Sequence, residues 1–375
     1  MGSATGTRTA STTLPLADSP LGRTIATTAT DVWNDSCSVS ELEYAISYGA
    51  VGATANPTIV ADVWKAEPAY WRERVQAIAA ERPDATEVDL AWAIVEEMSL
   101  RAAPLLRPAF DASGGRQGRL SMQTDPTLFS SFDRMLAQGE HFASLAPNII
   151  VKFPATSVGV RVMEEATYRG VNVNATVSFS VAQAVAAGEA VERGLRRREA
   201  DGLRVDDMGP VITVMMGRLE DWLRVQAERD GIVSDPSAFP WSGVAVFKRT
   251  VAEFQARSLR ARPLGAAIRH HLHWSELIGG DVIITMPSAW QRRFNASDVE
   301  VRPRMDDPVA PQIVDDLRRH FPDFVRAYEP DGLTPDEFDA FPPSARTLRA
   351  FVGSYHELLH QVSDALISNP DAKRA

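Results

Sequence analysis

The residue best suited to covalent chemistry is a lysine inside an apolar, strand-like run. Lys152 is flanked by Ile150, Val151 and Phe153, and with Lys65, Lys248 and Lys373 it is one of only four lysines among 39 basic residues. A cation without special duty would more often be arginine in this chain, and arginine cannot form a Schiff base. An amine held among apolar neighbours is partly stripped of water, which lowers its pKa and leaves more of the neutral nucleophile. The same setting also suits a structural lysine that reaches the rim along its methylene stem or pairs with a core carboxylate. Polar residues near the ends of other β-branched runs are Asp35, Asn56, Gln123, Asp125, Asn174, Thr176, Arg218 and Arg269. Thr54 shares a strand face with Asn56, and Asn174 shares one with Thr176, because side chains two apart point the same way. Asp35 suits a general base, or a helix start stabilised by the dipole. Each arginine suits a forked grip on phosphate, or a structural ion pair.

These side chains need a scaffold that brings them to one place. Eight runs recur, each followed by an amphipathic stretch: TTATDVW, AVGATAN, RLSMQTD, NIIVKF, VNVNATVSF, PVITVMMG, LGAAIR and DVIITM. That alternation is the pattern of parallel strands joined by helices. No glycine-rich phosphate loop follows the first run, which removes the usual mark of an open doubly wound sheet. The expected fold is therefore α/β, a TIM (β/α)8 barrel with additional terminal helices, whose catalytic groups gather at the C-terminal strand ends. Residues 1–20 read as a flexible N-terminal segment and 21–290 as the barrel. Residues 291–375 read as a C-terminal helical extension packed on it, with Leu348, Phe351, Tyr355 and Leu358 at helical spacing. Ser38 and Glu41 predict a capping box for the first connecting helix, with Gly49 as its stop, and Gly170 closes the helix after Lys152. Asp125 reads as an N-cap for the DPTLFSSF stretch.

The segment NIIVKFPATSVGVRVMEEATYRGVNVNATVSFSVAQA resembles the part of the transaldolase family that carries the Schiff-base lysine. WNDSCSVSELEYAISYGAVGATANPTIV is similar to the family's first strand, helix and second strand, while VITVMMGRLEDW and GAAIRH resemble its two phosphate-binding strand ends. The likeness runs from about Thr27 to Pro287 in the expected order. It implies a barrel enzyme that transfers dihydroxyacetone from a ketose phosphate to an aldose phosphate, using no cofactor and no metal. By position, it makes Lys152 the Schiff-base residue and Asp35 the base for the donor's C4 hydroxyl. Thr176 and Asn174 then hold the Schiff-base region and a water, Thr54 and Asn56 meet substrate, and Arg218, Arg269 and Thr213 bind phosphate. Gln123 departs from the pattern, standing where the family has a glutamate that relays protons through water. The related fructose-6-phosphate aldolases pair such a glutamine with a tyrosine, and Met215 stands at that place here.

Composition narrows the partners. A net charge of -10 with no basic cluster in a nucleic-acid motif argues against DNA or RNA, and RLRRRE around Arg196 reads as a solvated helix end. The single cysteine, Cys37, fits a reducing compartment and reads as a buried small residue. No run is apolar enough for a membrane span, and the Ser/Thr-rich start lacks a signal peptide's hydrophobic stretch, so a cytoplasmic protein is expected. A homodimer is one assembly this leaves open. The altered relay at Gln123 keeps two other readings in view: an aldolase-like or specialised sugar-phosphate enzyme, and a catalytically silent barrel that binds sugar phosphates. His270, beside Arg269, is a further candidate for proton transfer.

Overall fold

A computed structural model describes residues 16–367 and residue 370. Eight strands, β1 (Asp31–Asn34), β2 (Gly52–Thr54), β3 (Arg119–Gln123), β4 (Ile149–Pro154), β5 (Val173–Thr176), β6 (Val211–Val214), β7 (Arg262–Gly265) and β8 (Ile283–Met286), close in chain order into one barrel. Every neighbouring pair is parallel, including β8 with β1. All eight expected runs therefore form strands. Their apolar character follows from burial on both faces, between the barrel interior and the helix layer. The expectation for residues 1–15 lies outside the described residues. Residues 16–20 are ordered, with a 3₁₀ turn at Leu16–Asp18 and a helix from Pro20 that Ser19 caps.

Three strands, β2, β4 and β5, hand over to a helix whose start is capped by a side chain close to the strand's end. Asn56 Oδ1 accepts from Ile59 N–H at 3.1 Å, with Pro57 in the first turn. Thr156 Oγ1 and Ser180 Oγ do the same for Gly159 and Gln183. Strand ends and positive helix ends thus share one rim. The helix Val39–Ser47 begins at Ser38 as expected, but without the capping box: the Ser38 hydroxyl lies 3.2 Å from Ser40 Oγ instead. Gly49 and Gly170 do follow their helices with positive φ, and Asp125 caps a 3₁₀ turn at Pro126–Leu128.

Inside, the barrel is layered. Trp33 fills the lower part beside Ile150, Val211, Leu264 and Ile283. Gly52 makes room for it, since a Cβ there would lie 2.3 Å from the indole. Arg119, at the start of β3, is wholly buried under the ring of Phe110 at 5.1 Å, with Nη2 donating to Asp207 O at 2.7 Å.

The helix Pro342–Leu366 spans the mouth. Ser344 Oγ meets Gln183 Nε2 at 3.0 Å, beyond β5, and the Phe351 ring lies 5.2 Å from the Arg218 guanidinium, beyond β6. Ser354 meets Thr58 at 2.8 Å, beyond β2. Leu348, Phe351, Tyr355, Leu358 and Val362 are buried along one stripe, each worth roughly 1.5–3 kcal/mol. The half-exposed pair between Glu357 of this helix and Lys65 of the helix Pro57–Ala66 adds at most about 1 kcal/mol, so apolar packing holds the helix in place. Among the described residues no helix is long and apolar enough to cross a membrane.

Candidate active site

Lys152 sits on β4 in register with Gln123 on one side and Asn174 on the other. It is 3% exposed, and among the described residues Nζ has no hydrogen-bond partner. Burial is the main cause that pulls its pKa down to about 8. Arg218 pushes the same way and Asp35 opposes. At pH 7 about a tenth of such an amine is neutral, against roughly one part in 3,000 for an ordinary lysine.

Below the amine lies a satisfied polar layer. Asn174 Nδ2 donates to Ser121 Oγ at 3.0 Å, and Thr213 Oγ1 donates to Asn174 Oδ1 at 2.8 Å. Thr213, expected to touch phosphate, gives its proton to Asn174 and keeps its lone pairs for accepting. On β5, Thr176 lies two residues beyond Asn174 and donates to the Met215 sulfur at 3.8 Å, a weak bond. Gln123 is buried, and its Oε1 has no partner among the described residues.

Across the barrel Thr54 Oγ1 donates to Asp35 Oδ1 at 2.5 Å and is 2.9 Å from Thr285 Oγ1. A hydroxyl has one proton, so Thr285 must be the donor in the second contact, and the chain Thr285, Thr54, Asp35 runs one way. Asp35 follows β1 directly and lines a pocket of about 320 Å³ shared with Ser36, Ser38, Glu41, Ile59 and Val63. Asn56 uses its oxygen as the helix cap, leaving its amide N–H groups available at the rim.

The two arginines do not end strands. Arg218 lies in the first turn of the helix Met216–Asp230, and Arg269 on a loop four residues past β7. The ladder stops earlier than the sequence suggests because Ala267 takes a left-handed φ of 62°. Arg218 is depressed by burial first, then by Arg269 and Arg346. Arg269 forks onto Asp221 at 3.0 and 3.3 Å. His270 is half-buried and its pKa is lowered by that burial. Cys37 is buried and pushed up to about 12, an inert thiol, and Arg197 of RLRRRE is tied up in surface pairs with Glu164 and Glu165.

The structure therefore brings Lys152, Gln123, Asn174 and Thr176 together on adjacent strands, and Asp35 with Thr54 opposite. It groups Arg218 with Arg269 at the rim. Sequence reasoning missed Thr285, which the strand-end rule selects equally well, and Asp221, three residues after Arg218. It also missed Phe351 and Arg346, which only the path of the last helix reveals.

Comparison with known proteins agrees with this fold. Residues 32–327 match the family described as transaldolase/fructose-6-phosphate aldolase. The chain belongs to that family. Being a family of transferases, it makes this chain an enzyme of that class. Among named members, transaldolase 2 of Streptomyces avermitilis is 28% identical over 262 residues, covering 64% of this chain and 69% of the relative. The transaldolase of Thiobacillus denitrificans is 32% identical over 192 residues, covering 50% and 52%. That of Frankia alni is 25% identical over 308 residues, covering 74% and 82%. The match to the transaldolase/fructose-6-phosphate aldolase family thus extends past β8 into the C-terminal helices.

Proposed function

We propose that this chain is a transaldolase that moves a dihydroxyacetone unit from a ketose phosphate, fructose 6-phosphate or sedoheptulose 7-phosphate, to an aldose phosphate through a Schiff base on Lys152. The observation that carries this is the amine itself, buried, unpartnered and lowered to about 8. Neutral Nζ attacks the C2 carbonyl, the oxygen takes up a proton, and the carbinolamine loses water to give an iminium. Asp35 then accepts the C4 hydroxyl proton as the C3–C4 bond breaks. The electron pair moves into the iminium, leaving an enamine on Lys152 while the aldose phosphate departs. C3 of the enamine attacks the second aldehyde, and water releases the new ketose. Arg218 and Arg269 hold the phosphate, with Asn56 and the Thr54–Asp35 pair meeting the hydroxyls. Residues 21–290 form the catalytic unit and 291–375 its extension, in a cytoplasmic enzyme.

The unpartnered Gln123 Oε1 favours a second outcome, because an amide holds a water but does not carry its proton. Slow iminium turnover of this kind suits an aldolase-like enzyme that releases free dihydroxyacetone. Borohydride trapping with each donor, read by intact mass and peptide mapping, tests both. A three-carbon adduct on Lys152 that an aldose phosphate discharges supports transfer, and discharge by water alone supports the aldolase. Absence of an adduct with either donor defeats both and favours a silent sugar-phosphate-binding barrel.

A further inference from the structure

Two arginines meant for one phosphate repel each other, so something must set their spacing before substrate arrives. Arg218 is fixed by its helix and by Phe351. Arg269 has no such frame, because it lies on an irregular loop and is exposed. Its side chain is held by Asp221, an ion pair about 40% exposed and too solvated to fix a geometry alone. The main chain is held differently. His273 is wholly buried, and its Nδ1 accepts the Arg269 backbone N–H at 3.2 Å. Since Nδ1 accepts, the ring proton sits on Nε2, which faces the Pro240 carbonyl at 3.1 Å and Glu220 Oε2 at 3.5 Å. Burial keeps the imidazole neutral down to about pH 3, so this arrangement does not change in the working range. Gly217 closes the other side of the loop. A Cβ there would sit 1.9 Å from Ala267 O. Glu220 and Asp221 are consecutive on the helix that carries Arg218. One helix thus addresses both the side chain of Arg269 and the ring that holds its backbone.

We propose that His273 is a positioning residue for the phosphate end of the site, pinning the Arg269 main chain against Pro240 and Glu220 so that its guanidinium stays at a fixed distance from Arg218. This rests on the reading of Arg218 and Arg269 as phosphate ligands. The ring touches no substrate, and its effect is on affinity for the phosphoryl group.

Three variants test it: His273→Leu, His273→Asn and Arg269→Ala, with fructose 6-phosphate, unphosphorylated dihydroxyacetone as donor, and inorganic phosphate as competitive inhibitor. His273→Leu should raise KM for fructose 6-phosphate and the inhibition constant of phosphate about tenfold, the scale of one hydrogen bond to a binding group. The KM for dihydroxyacetone should move by less than about twofold. His273→Asn puts an amide oxygen where Nδ1 was and should recover most of the phosphate affinity. A folded His273→Leu protein, checked by circular dichroism, that shows unchanged phosphate affinity overturns the proposal. So does an equal loss for both donors. If His273→Leu does not fold, His273→Gln replaces it, since Gln places its oxygen at the Nε2 end. Equal behaviour of Asn and Gln then overturns the proposal. An Arg269→Ala variant that binds phosphate normally shows instead that the phosphate reading itself has failed.

Discussion

Lys152 and Arg119 are buried cations on neighbouring strands of the same barrel, one near the C-terminal mouth and the other at the opposite end. Both are depressed by loss of water, to about 8 and about 10. Arg119 has a carbonyl and an aromatic ring for company, and among the described residues two of its nitrogens have no partner. Its guanidinium keeps its proton at pH 7 all the same, so its burial produces strain and packing but no reagent. Lys152 meets a similar environment with a group that can give up its proton. Under the proposed mechanism, the same desolvation becomes nucleophilicity at one end of the barrel and structure at the other.

The largest effect that would break this comparison is at Lys152 itself. Lys152→Arg keeps the charge and should abolish the borohydride-trapped adduct completely, as Lys152→Ala does. An adduct surviving in either, seen by mass, would move the nucleophile elsewhere. Next in size is Asp35→Asn, which should cut carbon-carbon cleavage by about 10²–10⁴-fold while adduct formation persists. The trapped species should then carry six or seven carbons rather than three.

The pH dependence comes third. Because the Lys152 pKa is lowered, the trapping rate should fall about tenfold for each unit below about 8 and level off above it. A profile flat from pH 6 to 9 would remove the argument from burial. Stability gives the smallest and most diagnostic signal. Below about pH 8 the folded protein carries a buried ammonium that the unfolded chain carries in water, and this penalty fades as pH rises from about 8 to 10.5. Lys152→Met should therefore unfold at higher denaturant below pH 8, by about 1–3 kcal/mol, and lose that advantage near pH 10.5. Arg119→Ala should do the reverse, costing about 2–4 kcal/mol through the space it leaves while trapping by the folded fraction stays within about twofold.

Much of this was legible in the sequence because of where the information lies. Strands buried on both faces must be apolar, so a polar residue such as Lys152 or Asp35 at the end of such a run stands out. Arg218 and Arg269 were picked out as polar residues near run ends, but the placement of Arg269 beyond its strand was hidden by Ala267, whose left-handed φ no periodicity announces. Ser38 carried the right spacing for a capping box, yet its hydroxyl turned to Ser40, an alternative equally local in sequence. Tyr355 and Phe351 could be read as a buried stripe but not as the wall of a site, because helical spacing fixes which residues share a face and not what that face meets. His273 carried no signal of its own in the sequence, and only the fold, by burying it, places its ring on the Arg269 main chain.

The helix that spans the mouth also sets an order in time. Synthesis runs from the N-terminus, so all eight strands are made before Pro342 is added. Lys152, Asp35, Arg218 and Arg269 are then already in the chain, while the Phe351 ring behind Arg218 is still to come. A chain that has reached only that point carries every strand of the barrel without the helix that covers its mouth.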